Sequence, residues 1–487
     1  MCRRKMRSKG ECDMDENSKE YQLFEKAPVL ISISRLALPT VAGQIILVLY
    51  NMADTFFIGM TGSDAKLTAV TVCMPAFMFL SAVSNLFGVG GSSEISRALG
   101  RKRIKHASAT SSFSFWGCIC VTLLYSLGVS VFLDLYVDLL GGGAQDVHLY
   151  AKDYLLPTVV WGGLGTSMNA LLAHLLRSEG RSVQASVGIM AGGIMNILLD
   201  PLFMFYLLPA GMEVAGAAYA TALSNLMATL YFLGVIWRRG RHTVINFAPR
   251  PSNWDAQLVK NVLSTGLPAC VMTLFENISF AVLDKLLMVH GTMVQAGIGV
   301  AKKVNMLAHC IVRGMTQGVL PLIAYNYASQ NYRRMNEVVR ASMLISIALA
   351  SFCMGVCLLW SDALIGMFIS GETDSLRYGA TFLRILCLGG PVSACAYSII
   401  SFFQAVNRGR KSFILAILRK GVLDIPLMFV LGACFPVYGV VWATPAADCV
   451  CCIVALALYC QFCEHRRLEM EMKFTGSLPS DRNTDMQ

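Results

Sequence analysis

Charge is what this chain has least of. Only 14% of its 487 residues are Asp, Glu, Lys or Arg, against about 25% in an average soluble domain. An ordinary soluble domain is excluded. No short apolar segment with a small-residue cleavage site precedes the first long hydrophobic stretch, so a cleavable signal peptide is not expected. There is no G-x-x-x-x-G-K-[ST] sequence. The glycine runs Gly88-Val-Gly90-Gly91 and Gly141-Gly-Gly143 lack the strand-then-helix setting of a nucleotide loop. In a membrane helix such glycines more often allow close helix contact. An enzyme that burns ATP is therefore not expected, and no cofactor is. Uphill transport would draw on an ion gradient, unless a separate subunit supplied ATP hydrolysis. The 17 cysteines lie mostly in apolar stretches, where a thiol acts as a small hydrophobe. Cys460 and Cys463 form a C-x-x-C with neither a second pair nor a histidine cluster, short of the four ligands of a zinc site.

Hydrophobic residues are abundant instead, at 55%. Apolar runs recur from residue 29 to residue 462, each long enough (about 20 residues) to span a bilayer. Twelve spans can be drawn, at 29–59, 66–97, 107–134, 148–176, 182–208, 213–237, 257–290, 295–328, 337–369, 376–406, 412–434 and 437–462. The expected fold is an all-α polytopic membrane protein. Residues 1–28 and 463–487 read as polar tails, and 238–256 as a linker between lobes at 29–237 and 257–462.

The few charges sort by side. Arg97, Arg101, Lys102, Arg103 and Lys105 lie at the same kind of end as Arg177 and Arg181, Arg238, Arg239 and Arg241, Arg333, Arg334 and Arg340, Arg408, Arg410 and Lys411, and Arg466 and Arg467. The opposite ends are nearly free of Lys and Arg, with Asp134, Asp138, Asp146, Glu372 and Asp374 clustered there. Positive-inside bias then puts both termini and the basic loops in the cytoplasm of a cell (inner or plasma) membrane. It also accounts for the net charge of +10 without nucleic acid. Membrane lipid and a small-molecule substrate are the expected partners, and a monomer is the expected state.

The two halves repeat. Leu38-Pro39 matches Leu267-Pro268, Tyr150 matches Tyr378, and Ser178-Glu179-Gly180-Arg181 matches Asn407-Arg408-Gly409-Arg410, at offsets of 228–229. Six spans per half make the repeat parallel, an arrangement characteristic of secondary transporters with a site at the repeat interface.

Polar residues inside these spans are costly and point to function. Asn51 and Asp54 share a face of the first span, and Asn196 and Asp200 share one of the fifth; Thr221 sits in the sixth. Asp54 lies ~22 Å beyond Pro39 along its helix, and both carboxylates fall in the outer halves of outward-running spans. Such oxygens can hold Na⁺ or share a proton, or simply stitch helices together. Asp54, Asn196 and Asp200 would be the Na⁺ ligands. Gln44 and Asn51 are expected to face a substrate cavity. Pro39 should loosen its helix and act as a hinge. In the second half, Glu276 and Asp284 stand among Lys285, Lys302, Lys303, Arg313 and Arg384. Lys285 and Arg384 are expected to reach the outer interface. Lys302 and Lys303 need partners, for which Glu276 and Asp284 are the candidates. Helix pairing and cation or substrate contact are both open there.

The chain from about 30 to 460 resembles the multidrug and toxic-compound extrusion (MATE) family, and its MepA-like bacterial branch. Tyr50-Asn51-x-x-Asp54-Thr-Phe-Phe-Ile-Gly59, Asn196-x-x-x-Asp200-Pro201, Gly266-Leu-Pro268, Gln317-Gly318 and Pro321-Leu-Ile-Ala-Tyr325-Asn326-Tyr carry the resemblance. It implies two six-helix lobes in a V, alternating access, and export by Na⁺ or H⁺ antiport. It further implies a first-lobe cation site at Asp54, Asn196 and Asp200, with Thr221 a weaker match, and a bending proline at Pro39. Glu276 matches an acidic position of a second-lobe cation site in other branches, although the tenth span has no Asp to complete it. A lipid-linked precursor flippase of a related V-shaped family is the alternative, and a receptor or scaffold without transport a third reading.

Overall fold

The structure is a computed structural model that describes residues 19–141, 145–249, 251–369 and 374–474. Among them every regular element is helical. That follows from lipid as solvent, which leaves backbone N–H and C=O groups no partners outside their own segment. Among the described residues nine helices are long and apolar enough to cross a membrane singly: Val29–Gly59, Asp64–Gly100, Ile104–Val131, Ser182–Leu207, Glu213–Arg239, Ala256–Met288, Thr292–Ala328, Tyr332–Leu359 and Tyr438–Leu468. They are the first three, the fifth to ninth and the twelfth spans.

The fourth and tenth spans are bent pairs at equivalent places in the repeat. Gln145–Trp161 meets Gly163–Ser178 at 51°, and Asp374–Leu388 meets Gly390–Ala405 at 43°. Each break falls at a glycine, Gly162 or Gly389, with Pro157 or Pro391 nearby. Proline withholds a backbone donor and crowds the preceding turn, so the helix widens or breaks there. In the fourth span it widens into a π-turn over Leu156–Trp161. The eleventh span runs Gly409–Ile417, Leu418–Leu423 and Asp424–Cys434 without leaving helix, its middle again a π-turn. That turn carries Arg419 and Lys420, which with Asp424 interrupt an otherwise apolar run. Twelve spans result, as expected.

The turns repeat as well. Lys102 and Gln330, 228 residues apart, both adopt left-handed backbone conformations (φ 56° and 62°) after the second and eighth spans. Each costs about 1–2 kcal/mol for a non-glycine residue, so the shared corner is imposed by the packing of its flanking helices.

The edges carry contacts of their own in three places. The chain enters the first span from a short helix, Lys19–Glu25, which is docked on the bundle. Phe24 stacks on Tyr325 at 5.0 Å, and the Arg334 guanidinium donates to the carbonyl oxygens of Phe24 (2.8 Å) and Leu23 (3.2 Å). The linker is strapped down too. Glu179 Oε1 accepts from the Thr243 hydroxyl (2.7 Å) and the Val244 amide (2.6 Å), and Trp116 Nε1 donates to the Phe247 carbonyl (2.9 Å). The last helix continues past residue 462 to Phe474. The expectations for residues 1–18 and 475–487, for Gly142, Gly143 and Glu372, and for the Arg241 side chain lie outside the described residues.

The halves meet along a seam at the basic end. Gly266 of the seventh span lies so close to the second span that a Cβ there would stand 1.7 Å from the Leu86 carbonyl oxygen. Only glycine permits that approach. Ser93 Oγ donates to the Gln404 carbonyl (2.8 Å), and Arg97 Nη1 reaches the carbonyls of Gln404 (3.3 Å) and Ala405 (3.1 Å). Arg97 also pairs with Glu94, whose other oxygen accepts from Asn261 at 3.3 Å. Deeper in, Asn85 donates to Thr273 (2.9 Å) and Gln44 to Gln317 (3.2 Å). Among the described residues, no hydrogen bond or ion pair joins the halves beyond that level.

Candidate functional site

The fifth span presents Asn196 and Asp200 one turn apart, and Pro201 follows. Having no N–H, Pro201 cannot give the Ile197 carbonyl its usual donor one turn on, and the helix passes into a π-turn over Phe203–Leu207. The Asn196 amide donates to Asp200 Oδ1 (3.1 Å) and to Thr221 Oγ1 of the sixth span (3.2 Å). Both donors of that amide are thereby used. Asp54 of the first span is buried at 4% exposure and Asp200 at 0%, and their two spans pack together where Gly193 meets Ile46 and Tyr50. Three buried oxygens have no hydrogen-bond partner: Asp54 Oδ1, Asn196 Oδ1 and Asp200 Oδ2.

A buried acceptor without a donor costs roughly 1–3 kcal/mol, and more when it is charged. Three acceptors on neighbouring helices, two of them carboxylate oxygens, form a group short of positive charge. A proton or an oxygen-liganded cation supplies what it lacks. A small cavity beside it is lined by Leu47, Tyr50, Asn169, Gly193, Asn196 and Thr221. Tyr50 and Asn169 were not among the residues expected here. A tyrosine one residue before Asn51, inside an apolar span, is the available signal for the first.

The other expected residues are placed as follows. Gln44 is buried at the seam and bonded across it to Gln317. Asn51 donates to the Leu47 carbonyl of its own helix (2.6 Å). Pro39 lies inside a helix that continues unbroken from Val29 to Gly59. Glu276 pairs with Arg313 at 2.8 Å, and Asp284 with Lys302. Lys303 bonds to neither carboxylate. Lys285 is exposed, and Arg384 pairs peripherally with Asp362 at 2.5 Å.

The second half also holds a buried cluster that none of the sequence expectations included. Arg419 Nε donates to Asp448 Oδ1 (2.7 Å), its Nη2 to Ser393 Oγ (2.8 Å), and its guanidinium lies 4.2 Å over the Tyr397 ring. Lys420 donates to Asp424 Oδ2 (2.9 Å), which also accepts from Ser279 Oγ (2.6 Å), while Asp424 Oδ1 accepts from Thr444 (3.0 Å). All four ionisable groups are at most 3% exposed. Arg-Lys-x-x-x-Asp inside an apolar run was the overlooked signal, by the same cost argument that singled out Asp54. This half contains carboxylates at depth, but each faces a cation.

The MatE family model matches this chain twice, over residues 39–202 and 268–430. The chain belongs to the MatE family. The double match falls on the two halves at the offset of the sequence repeat. Among curated proteins, the chain is 29% identical over 448 residues to the multidrug export protein MepA of Staphylococcus aureus (strain MRSA252), covering 90% of this chain and 96% of that protein. It is 27% identical over 446 residues to the protein of the same name from Staphylococcus haemolyticus, with coverages of 90% and 95%. Among solved structures, it resembles MATE in complex with MaD3S, with TM-score 0.83, 23% identity, and coverage of 91% of this chain and 97% of that one. An outward-facing multidrug resistance MATE family transporter matches with TM-score 0.82, 23% identity and coverages of 91% and 98%. Those structures establish the fold. This MatE member is thus a multi-pass membrane transporter.

Proposed function

We propose that this protein is a cation-coupled (Na⁺ or H⁺) antiporter exporting small amphiphilic compounds or drugs by alternating access. The observation that carries the reading is the set of three unpartnered buried oxygens on Asp54, Asn196 and Asp200, two of them on carboxylates. A cation or proton entering that set would be held by the first half, with Thr221 bracing Asn196. Relatives named multidrug export protein support the substrate class.

The seam supports the alternating step. Among the described residues its hydrogen bonds are confined to the basic end and the middle, so the halves can part at the opposite end. With the basic end in the cytoplasm, this is the outward-facing arrangement. The first six and last six spans act as the two moving bodies, Pro39 gives the first span its give, and the linker holds them in register. Cation binding shifts the balance between arrangements by its differential affinity for them. The protein works as a monomer in the plasma membrane with both termini inside.

The test is dye or drug export in proteoliposomes with Na⁺ and H⁺ gradients imposed separately. Wild type should respond to one gradient, and Asp54→Asn and Asp200→Asn should lose that response. Export indifferent to both gradients, or full activity in both variants, would refute the reading. An uncompensated basic second half would favour the flippase alternative, but Lys302, Arg313, Arg419 and Lys420 each face a carboxylate there.

A further inference from the structure

The ion pair between Glu276 and Arg313 is set apart from the other pairs of the second half by its place. Each partner follows, on its own helix, a residue that bonds across the seam. Counting outward, away from the basic end, Glu276 is three residues beyond Thr273, which accepts from Asn85 of the second span (2.9 Å). Arg313 is four residues beyond Gln317, which accepts from Gln44 of the first (3.2 Å). Residues three or four apart lie one turn along a helix, on nearly one face. The pair therefore forms the next polar layer beyond the last bonds between the halves among the described residues, at the floor of the gap. Arg313 is 39% exposed there and Glu276 16%, against 4% or less for Arg419, Lys420, Asp424 and Asp448.

This layer has donors to spare. Arg313 Nη2 donates to both Glu276 oxygens (2.9 and 2.8 Å), and a guanidinium carries three further N–H groups, on Nε and Nη1. The Tyr397 hydroxyl lies 3.5 Å from Glu276 Oε1. Even with one N–H given to that hydroxyl, Arg313 keeps two that no described residue accepts. Both Glu276 oxygens, in contrast, are already engaged. Behind the pair, Arg419 lies 4.2 Å over the Tyr397 ring, with its Nη1 buried and unpartnered. The eighth span itself supplies Lys302, Lys303 and Arg313 and no carboxylate. The first half has the opposite deficit, with acceptors on Asp54, Asn196 and Asp200 that lack donors. A ligand that satisfies the second-half layer brings acceptors and negative charge.

We propose that Arg313 binds a carboxylate on the exported compound through Nε and Nη1, which makes carboxylate-bearing amphiphiles a preferred substrate class of this protein. The proposal rests on the reading of the protein as an exporter. A carboxylate accepts charge-assisted bonds, roughly twice as strong as those an uncharged ester carbonyl accepts. Glu276 fixes the guanidinium through Nη2 and offsets the cost of holding a cation at that depth before substrate arrives. The substrate carboxylate then meets the guanidinium from the gap, while the seam bonds of Thr273 and Gln317 one turn below bring the first half up to the same floor.

The experiment measures binding of rhodamine B, which carries an aromatic carboxylate, and of its methyl ester to purified full-length protein in detergent, by fluorescence anisotropy. The readout is the ratio of the two dissociation constants, and the same dyes are followed in proteoliposomes with each gradient imposed. Exchanging charge-assisted bonds for neutral ones changes affinity by roughly tenfold, so wild type should bind the acid about tenfold tighter than the ester. In Arg313→Gln the ratio should fall to about one. In Glu276→Gln, which frees Nη2 as well, it should rise. If Arg313→Gln strands Glu276 and does not fold, Arg313→Gln combined with Glu276→Gln removes both charges and should also bring the ratio to about one. A wild-type ratio near one, or a ratio within twofold of wild type in whichever variant folds, overturns the role of Arg313, and gradient-driven export of the ester then leaves the export reading standing. Wild type that moves neither dye with either gradient overturns that reading, and the substrate class with it.

Discussion

Arg419 and Asp448 offer the sharpest test of how this bundle tolerates charge. Both side chains are 2% exposed, on the eleventh and twelfth spans. Replacing Asp448 with Ala removes the 2.7 Å and 3.4 Å contacts. The guanidinium keeps only the Ser393 hydroxyl at 2.8 Å and the Tyr397 face at 4.2 Å, and its Nη1 has no partner even in the native state. A buried cation left this way costs about 3–5 kcal/mol. Removing both charges is a different perturbation. Arg419→Met with Asp448→Leu fills similar volume without stranding a charge, and such replacements are often neutral or stabilising by about 1–4 kcal/mol. The double variant should therefore unfold at or above the wild-type temperature in detergent, with Asp448→Ala well below it. A double-mutant cycle measured by steric trapping or thermal unfolding should return coupling of several kcal/mol, far above the roughly 0.3–0.5 kcal/mol scatter of independent sites. If Asp448→Ala proves no less stable than the double variant, the pair does not neutralise a stranded charge and the reasoning fails. If the double variant folds well but no longer exports, the cluster serves transport and not stability.

Three further outcomes follow from other contacts. Phe24→Ala removes a ring that is 2% exposed and stacked on Tyr325, at a cost of about 3 kcal/mol if the helix stays docked. Protease access to residues 19–28 should rise in parallel, and unchanged proteolysis would show the docking to be weak. Gly266→Ala puts a methyl into the Leu86 carbonyl and should pry the halves apart at the basic end. A cysteine pair at positions 93 and 404 should then cross-link less readily than in the parent, and equal cross-linking would refute the close approach. Asn196→Leu keeps the volume but strips the amide from Asp200 and Thr221. Export should become insensitive to the driving gradient while substrate binding in detergent survives, and a retained gradient response would remove Asn196 from the site.

Much of this was legible in the linear chain because its causes are local. Twelve runs of apolar residues read as spans wherever they occur, and the repeat of Leu-Pro and Gly-Arg corners at an offset of 228–229 survives without coordinates. Asp54 and Asp200 stood out because a carboxylate among apolar neighbours is expensive in any packing. Arg419, Lys420, Asp424 and Asp448 carried that same signal and were legible in principle. Their neutrality was not, since it depends on which span each charge meets.

Only the tertiary structure decided the rest. The Asn196 amide reaches Thr221 from another helix, and Glu276 takes Arg313, not either lysine. The Lys19–Glu25 helix looks like a polar tail until Arg334, some 310 residues on, collects its last carbonyls. Side-chain cost is a property of one residue in its run, which a sequence records. Compensation of that cost is a property of two helices at a fixed distance and rotation, which exists only after packing.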